Sequence, residues 1–377
     1  RKLVDSNDYR TGDFRSGRLS HYSEERKPGG HVYGDFSYGG GLAGQPSMND
    51  YGYDYWLATG NVARPDHKNP LNFFLNGKAT GKIEGYSAQI VASEFVKWMK
   101  EHRKGAKPFF VTVWFHEPHG PVNSDPRFVN RYKHLADASM RQYLANVTQI
   151  DEAVGAIVAS LKEAGVYDNT LIWYTSDNGP EGKHEFGSFN ASDCPYGGSR
   201  SRGSTGGLRG RKRHTHEGGI RVPGIISWPA GLKGFGRKPG AVCADPIIGS
   251  DVFPTILELA DVVCPAERIL DGASIVPLLR GETLRRLRPL YWRNCFYKFR
   301  IALREGDWKI VGDSRRTEFE LYNLRLDPRE TTNLAAHEPG LFESMKHALI
   351  QYDREVLAEG PDWWQREQGM KKSIPLD

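Results

Sequence analysis

Apolar positions along this chain fall into three textures. Up to about Gly77 they follow no regular order: Gly, Tyr, Asp and Asn dominate, and His31 to Gly41 is dense in glycine. A stretch this long without periodicity reads as functional loops with a few short elements. From Gly85 to His102, Ile90, Val91, Phe95, Trp98 and Met99 recur at helical spacing and predict a helix. Phe109 to Phe115 is apolar nearly throughout, which predicts a strand buried on both faces, as in a parallel sheet. Asp137 to Gly165 carries the most regular stripe. Tyr143, Val147, Ile150, Val154, Ile157, Val158 and Leu161 share one helical face, and Gly165 can end the helix. Thr170 to Tyr174 and Gly224 to Trp228 predict two more buried strands. Strand, long helix, strand is a βαβ unit, and it implies a parallel sheet covered by helices.

A short helix, Asp251 to Leu259, closes this part of the chain, and the pattern changes near Leu287. Leu290–Trp292, Arg300–Leu303, Trp308–Val311 and Glu320–Tyr322 are short strand candidates separated by turns, and a helix follows from about Gly340 to Leu357. The expected fold class is therefore α/β. A mostly parallel sheet sandwiched by helices fills residues 1–286, a small antiparallel α+β subdomain fills 287–362, and 363–377 is a tail. No repeat or low-complexity run interrupts this order, and no apolar run approaches the length of a membrane span.

Composition changes this picture little. With 38% hydrophobic and 26% charged residues the chain is ordinary for a globular protein. The net charge of +5 suits anionic ligands without requiring nucleic acid. Cys194, Cys243, Cys264 and Cys295 form no CxxC pair, which argues against a zinc ribbon or a dense disulfide framework. No aromatic residue interleaves the cations between Arg200 and Arg213, as stacking on single strands would require, so nucleic acid is not the expected partner.

The candidate chemistry sits in three stretches. Leu208 to Pro229 opens with Arg209, Arg211, Lys212 and Arg213, turns through Glu217-Gly218-Gly219 and ends in an apolar strand. Fixed cations beside permissive glycines suit a loop that holds an anion, although a charge cluster by itself more often reads as a solvated loop. Phe115 to Pro121 and Thr175 to Pro180 each follow a predicted strand, so both place polar groups at a strand's C-terminal end, where ligands bind in open α/β sheets.

At these residues the chain resembles the sulfatases, the arylsulfatase branch of the alkaline phosphatase superfamily. The similarity runs in order through Gly52-Tyr53-Asp54-Tyr55-Trp56, His116-x-x-His119-x-Pro121, Asp177-Asn178-Gly179 and Leu208-Arg209-x-x-Lys212 to Glu217-Gly218-Gly219-x-Arg221. It continues with Asp251-x-Phe253-Pro254-Thr255, Leu270-Asp271-Gly272-x-Ser274, and Glu320-Leu321-Tyr322-Asn323-Leu324 through Asp327-Pro328 to Asn333-Leu334.

The resemblance implies an alkaline phosphatase-like fold and hydrolysis of aryl or carbohydrate sulfate esters. The nucleophile would be a formylglycine hydrate beside a calcium ion. Asp177 and Asn178 match two of the calcium ligands and offer the hard oxygens that ion takes. His119 matches the histidine that contacts the ester oxygen and protonates the leaving group, and Lys212 matches the sulfate-binding lysine. These four residues are expected to converge at the C-terminal edge of the sheet. His116 reads as a supporting residue. A sulfated small molecule or glycan is the implied partner, and a periplasmic, secreted or lysosomal setting is the family habit.

The sequence also departs from the family. The Asp-Asp pair that completes the calcium site and the Cys-x-Pro-x-Arg or Ser-x-Pro-x-Arg nucleophile segment do not occur. Cys264-Pro265 and Cys194-Pro195 have the wrong spacing. After Tyr9-x-Thr11-x-x-Phe14, Ser16 and Arg18 stand where the family has Lys and His. The chain therefore reads as the C-terminal part of a sulfatase, lacking the nucleophile and half of the calcium site, or as a degenerate copy. Three functions stay open: a sulfuric ester hydrolase, an inactive remnant that binds sulfated glycans, and a phosphodiesterase or phosphatase of the same superfamily. Asn178, where the last class would carry His, speaks against it.

Overall fold

The computed structural model describes residues 47–359 apart from 60, 61, 104, 106, 182–201, 266 and 295–298, together with two short strands near the N-terminus. Ser16, Arg18, Cys194, Cys295 and the 363–377 tail lie outside the described residues. The chain forms two compact units. One comprises Arg1–Ala164, Glu181–Gly203 and Trp363–Ser373; the other comprises Gly165–Pro180, Ser204–Asp362 and Ile374–Asp377. Residues 204–286 thus group with the C-terminal sheet rather than with the N-terminal part.

The first unit begins with β1 (Arg26–Lys27) and β2 (Gly30–His31), then β3 (Leu57–Ala58), β4 (Phe74–Leu75) and β5 (Lys78–Ala79) in a small antiparallel sheet. Three helices follow: α1 (Ser87–Glu101), α2 (Pro126–Val129) and α3 (Ala138–Glu163). Small residues let the long helices approach, since Ala88 and Ala92 of α1 pack against Ala153 of α3, flanked by Phe115 and Ile157. Asp137 caps α3 by accepting from the Ser139 and Met140 amides at 2.9 and 3.2 Å, which satisfies donors that the first turn cannot.

Two expectations fail in this unit. Phe109 to Phe115 forms no strand among the described residues, and Phe110 and Trp114 are 58% and 52% exposed. Hydrophobicity records what a segment can bury, and a ladder also needs a neighbour within reach. The buried face of α3 is also rotated away from the predicted stripe. Val147 is 41% exposed, while Gln142, Asn146 and Gln149 are buried beside Ala145, Ile150 and Ala153. These amides are buried because they hold another segment, described below. Asn146, within an Asn-x-Thr sequence, is fully enclosed and so is not a glycosylation site in this fold.

The second unit contains β6 (Ile172–Thr175), α4 (Glu217–Ile220), β7 (Gly224–Ser227), α5 (Pro229–Gly234), α6 (Val252–Leu259) and α7 (Val276–Arg280). β6 and β7 pair antiparallel, with Trp173 opposite Ile226. Every strand pairing among the described residues is antiparallel, where the βαβ reading had implied parallel pairs. Trp173 and Ile226 point into a core with Ile275, Leu278 and Leu279, whereas Tyr174 and Ile225 face outward and are 40% and 58% exposed. Two predicted motifs interlock here. Asp251 accepts from the Ala273 amide at 2.9 Å, and the Ile275 amide donates to the Thr255 hydroxyl at 3.0 Å.

The C-terminal meander matches its prediction closely. β8 (Leu290–Arg293), β9 (Phe299–Glu305), β10 (Trp308–Asp313) and β11 (Phe319–Asn323) form one antiparallel sheet, and α8 (Pro339–Glu359) packs on it. Alternate residues Ile301, Leu303, Ile310 and Leu321 meet Met345 and Leu349 of α8, as a period of two demands. The opposite face carries Ala302, Val311 and Tyr322 with Trp292. Lys309 lies one residue from both Ile310 and Trp308, and so shares that second face with Val311.

Candidate functional site

The basic loop and the Asp-Asn-Gly turn are built against each other. The Gly179 amide donates to the Gly219 carbonyl and the Lys212 amide donates to the Pro180 carbonyl, each at 2.9 Å. The approach is so close that a Cβ on Gly179 would lie 2.0 Å from the Gly218 oxygen, and one on Gly218 would lie 2.2 Å from the Gly210 oxygen. Only residues without side chains fit, which gives the glycines of both motifs a packing reason. Lys212 thus sits on a loop whose backbone is pinned to the strand end carrying Asp177 and Asn178. Arg213 beside it adopts a left-handed backbone at φ 75°.

The other side of this loop rests on the meander. Arg209 donates to the Tyr322 hydroxyl and to the Glu330 carbonyl, and His216 meets Glu320 at 3.3 Å. Burial works against ionisation of Glu320, but hydrogen bonds from His216 and Tyr322 and the charge of Arg209 hold its carboxyl down to about 2. Deeper, the fully enclosed Lys309 ammonium lies 2.9 Å from both Glu217 and Glu330. Glu330 also accepts from the Glu217 amide at 2.7 Å, and Arg221 reaches the other Glu217 oxygen at 3.9 Å. The Trp292 ring stands 5.8 Å from the ammonium. Sequence reasoning did not assign Glu217, Lys309 or Glu330 a role. The available signal was a lysine inside the apolar run Trp308 to Val311, at a position where the two-residue period calls for an inward side chain.

His119 belongs to the first unit, on the loop that leaves Phe115. Its Nδ1 donates to the Gly120 carbonyl at 2.6 Å, and its amide donates to the His116 carbonyl at 2.9 Å. A donating Nδ1 leaves Nε2 as the basic nitrogen of the neutral ring. The rotated face of α3 holds this loop. Gln149 donates to Glu117 at 3.0 Å and accepts from the Asp125 amide at 3.0 Å, while Gln142 accepts from the Ser124 amide at 3.1 Å. Glu117 is buried and also accepts from the Ser87 hydroxyl and the Ala88 amide at 2.7 and 2.8 Å. Burial opposes its ionisation, but the hydrogen bonds from the Ser87 hydroxyl and the Ala88 amide hold the carboxyl below the usual range. The same burial pushes His67 down and takes His116 to about 4. His67 accepts from the Asn146 amide at 3.3 Å, and His116 Nε2 hydrogen-bonds Thr59 at 2.9 Å. His67 and Glu117 are further residues that pattern reading missed, since neither lies in a periodic segment.

Asp177 is exposed and Asn178 half-buried, and the Asn178 amide donates to Asp177 at 3.1 Å. An exposed carboxylate and an adjacent side-chain carbonyl suit a hard cation. Among the described residues, however, no three His, Cys, Asp or Glu side chains cluster closely enough to hold a metal. Asp177 and Asn178 by themselves offer two such oxygens.

The chain is similar to known proteins in sequence and in fold. The family model described as Sulfatase matches residues 3–262, more than half of the chain, and the one described as N-sulphoglucosamine sulphohydrolase, C-terminal, matches 210–355. The chain is 35% identical to steryl-sulfatase of Mus musculus over 205 residues, which cover 54% of this chain and 29% of that protein. It spans less than a third of that relative's length. Among solved structures, Ps i-CgsB in complex with k-i-k-neocarrahexaose aligns with a TM-score of 0.68 at 21% identity, covering 82% of this chain and 67% of that one. A protein in complex with its substrate D-glucosamine-2-N,6-O-disulfate aligns at 0.56 and 18% identity, covering 89% and 80%. At such identities the likeness is one of fold.

Proposed function

Because the chain belongs to the sulfatase family, we propose that it carries the substrate-binding part of a sulfuric ester hydrolase site, with Lys212 as the sulfate-binding cation. The observation behind this reading is the pinned pair of loops: the Lys212 amide on the Pro180 carbonyl, with Asp177 and Asn178 on the same turn. A cation on a loop fixed at both its faces neutralises an anion without first paying for its own ordering. Asp177 and Asn178 would hold calcium, which when bound would neutralise charge on the sulfuryl oxygens. His119, with Nδ1 tied to Gly120, would present Nε2 to the ester oxygen and deliver the leaving group's proton, an effect of about 10²–10⁴-fold. Sulfated sugars are the favoured substrates, since two proteins of similar fold are described with carbohydrate ligands, one of them a sulfated glucosamine. Aryl and steroid sulfates follow from the sequence relatives.

A second reading is binding of a sulfated glycan without turnover. A 4-nitrophenyl sulfate assay separates the two. The 377-residue chain is expected to show no turnover above background. Joined to an upstream segment with a formylglycine-forming motif, it is expected to turn over and to lose most of that activity in Lys212→Met and His119→Ala. Binding of sulfated oligosaccharide without turnover in the joined protein would favour the second reading. Turnover by the chain in its present form would mean that it contains a nucleophile elsewhere.

A further inference from the structure

Nothing in the reaction proposed above uses Lys309, Glu217 or Glu330, yet among the described residues of the second unit they form a fully enclosed ionic cluster. A lysine with no exposed surface is uncommon on a meander, where an apolar residue would fill the same space at lower desolvation cost. What an apolar residue would not do is hold two carboxylates from elsewhere in the chain. Glu217 opens α4, five residues after Lys212. Its amide and its carboxylate are both held, the amide by Glu330 and the carboxylate by Lys309. Glu330 has a left-handed backbone at φ 56°, and its carbonyl takes Arg209, three residues before Lys212. The loop is therefore fixed on both sides of Lys212 by groups that converge on one ammonium. The backbone at and just beyond these anchors carries the hold to the other loop, through Gly219 on Gly179 and Lys212 on Pro180.

We infer that Lys309 and Glu330 are positioning residues for the anion site: the C-terminal sheet clamps Glu217, and through it sets the backbone that carries Lys212 and the turn that carries Asp177 and Asn178. This rests on the proposed role of Lys212 and gives the C-terminal signature around Glu330 a task at the site. It also explains why the meander keeps a second buried face. α8 covers one side, and the basic loop, docked through Lys309, covers the other.

The test uses the full chain and two readouts, hydrogen exchange of backbone segments and titration with inorganic sulfate. In Lys309→Met, exchange in 208–220 and 176–180 is expected to quicken at least about tenfold, while 299–305 and the α3 segment 138–163 change less than about twofold. Sulfate affinity is expected to fall about tenfold in the same variant and to return within about threefold of wild type in Lys309→Arg, which restores the charge. Glu330→Gln, which keeps its shape, gives the same pattern at smaller size and serves if Lys309→Met does not fold. Unchanged exchange in 208–220 in both variants overturns the inference, as does an even acceleration across the chain, which would make the cluster a general stability element. Lys212→Met separates this from the functional reading. If that variant binds sulfate like wild type, Lys212 is not the anion site, and the exchange data still decide whether Lys309 clamps the loop.

Discussion

Two buried polar clusters lie one in each unit, and they are built on opposite principles. Around Lys309 the charges are matched: one ammonium between Glu217 and Glu330, with Arg221 near the remaining oxygen. Around Glu117 the carboxylate is met mainly by neutral donors, Ser87, Ala88 and Gln149, beside two histidines that burial keeps neutral. The Glu117 Oε2 and His116 Nδ1 atoms are enclosed and have no hydrogen-bond partner among the described residues. The matched cluster depends on every member staying charged. The neutral one depends on its histidines staying uncharged. The first should therefore be brittle to substitution and the second to acid.

The largest expected effect comes from breaking the matched cluster. Lys309→Met leaves two enclosed carboxylates without their shared cation and should cost about 3–5 kcal/mol in urea unfolding. The triple variant with Glu217→Gln and Glu330→Gln should recover most of that loss. If the single variant unfolds like wild type, the cluster is not ionic in solution. Next is Gly179→Ala, where the added methyl would sit 2.0 Å from the Gly218 oxygen. A forced shift of two packed backbones should cost about 1–3 kcal/mol and weaken sulfate binding together with stability.

The acid response is spread over about two pH units and has a defined sign. His67 and His116 are pushed below their ordinary 6.5, His116 to about 4, so between those values the unfolded chain binds protons that the folded chain refuses. Stability then falls as pH falls through that window, by at most about 1.4 kcal/mol per pH unit for each histidine. Glu117 acts in the same direction below its ordinary 4.5, because a depressed carboxyl contributes stability above that value and loses it as pH drops through the folded one. Thermal melts from pH 7 to 4.5 should show the decline, and His116→Asn should flatten it. A melt that does not change with pH would mean that these rings are hydrated. The smallest effect is expected at an exposed pair: Asp307→Asn, which breaks a surface bridge to Arg325, should change unfolding by less than about 1 kcal/mol.

Much of the fold was legible where local pattern and tertiary environment coincide. The meander and α8 were readable because each strand alternates and each turn is short, so neighbours in sequence are neighbours in space. α1 and α3 were found for the same reason. The face of α3 was not, because Gln142, Asn146 and Gln149 are buried by hydrogen bonds to a loop, and a hydrophobicity pattern counts them as exposed. Phe109 to Phe115 was read as a strand from its apolar run, but strand formation belongs to a pair, and no partner lies among the described residues. Asp177, Asn178, His119 and Lys212 were picked out by resemblance, not by periodicity. The residues that hold them, Glu117 and Lys309, were hidden because their roles depend on contacts with residues about thirty or ninety positions away.

The central claim is that the loop of Lys212, pinned to the turn of Asp177 and Asn178, is an anion site for sulfate. Calorimetric titration of the folded chain with inorganic sulfate, at a fixed ionic strength of about 0.15 M, tests it most directly when wild type, Lys212→Met and Arg213→Met are compared. A charge-assisted contact of about 1.5–3 kcal/mol corresponds to roughly a ten- to hundredfold loss of affinity in Lys212→Met. Arg213→Met, one residue along the same loop, should stay within about threefold of wild type, since a general electrostatic attraction is screened and small. Equal losses in both variants, or none in Lys212→Met, would contradict the account and return the basic loop to the role of a solvated surface.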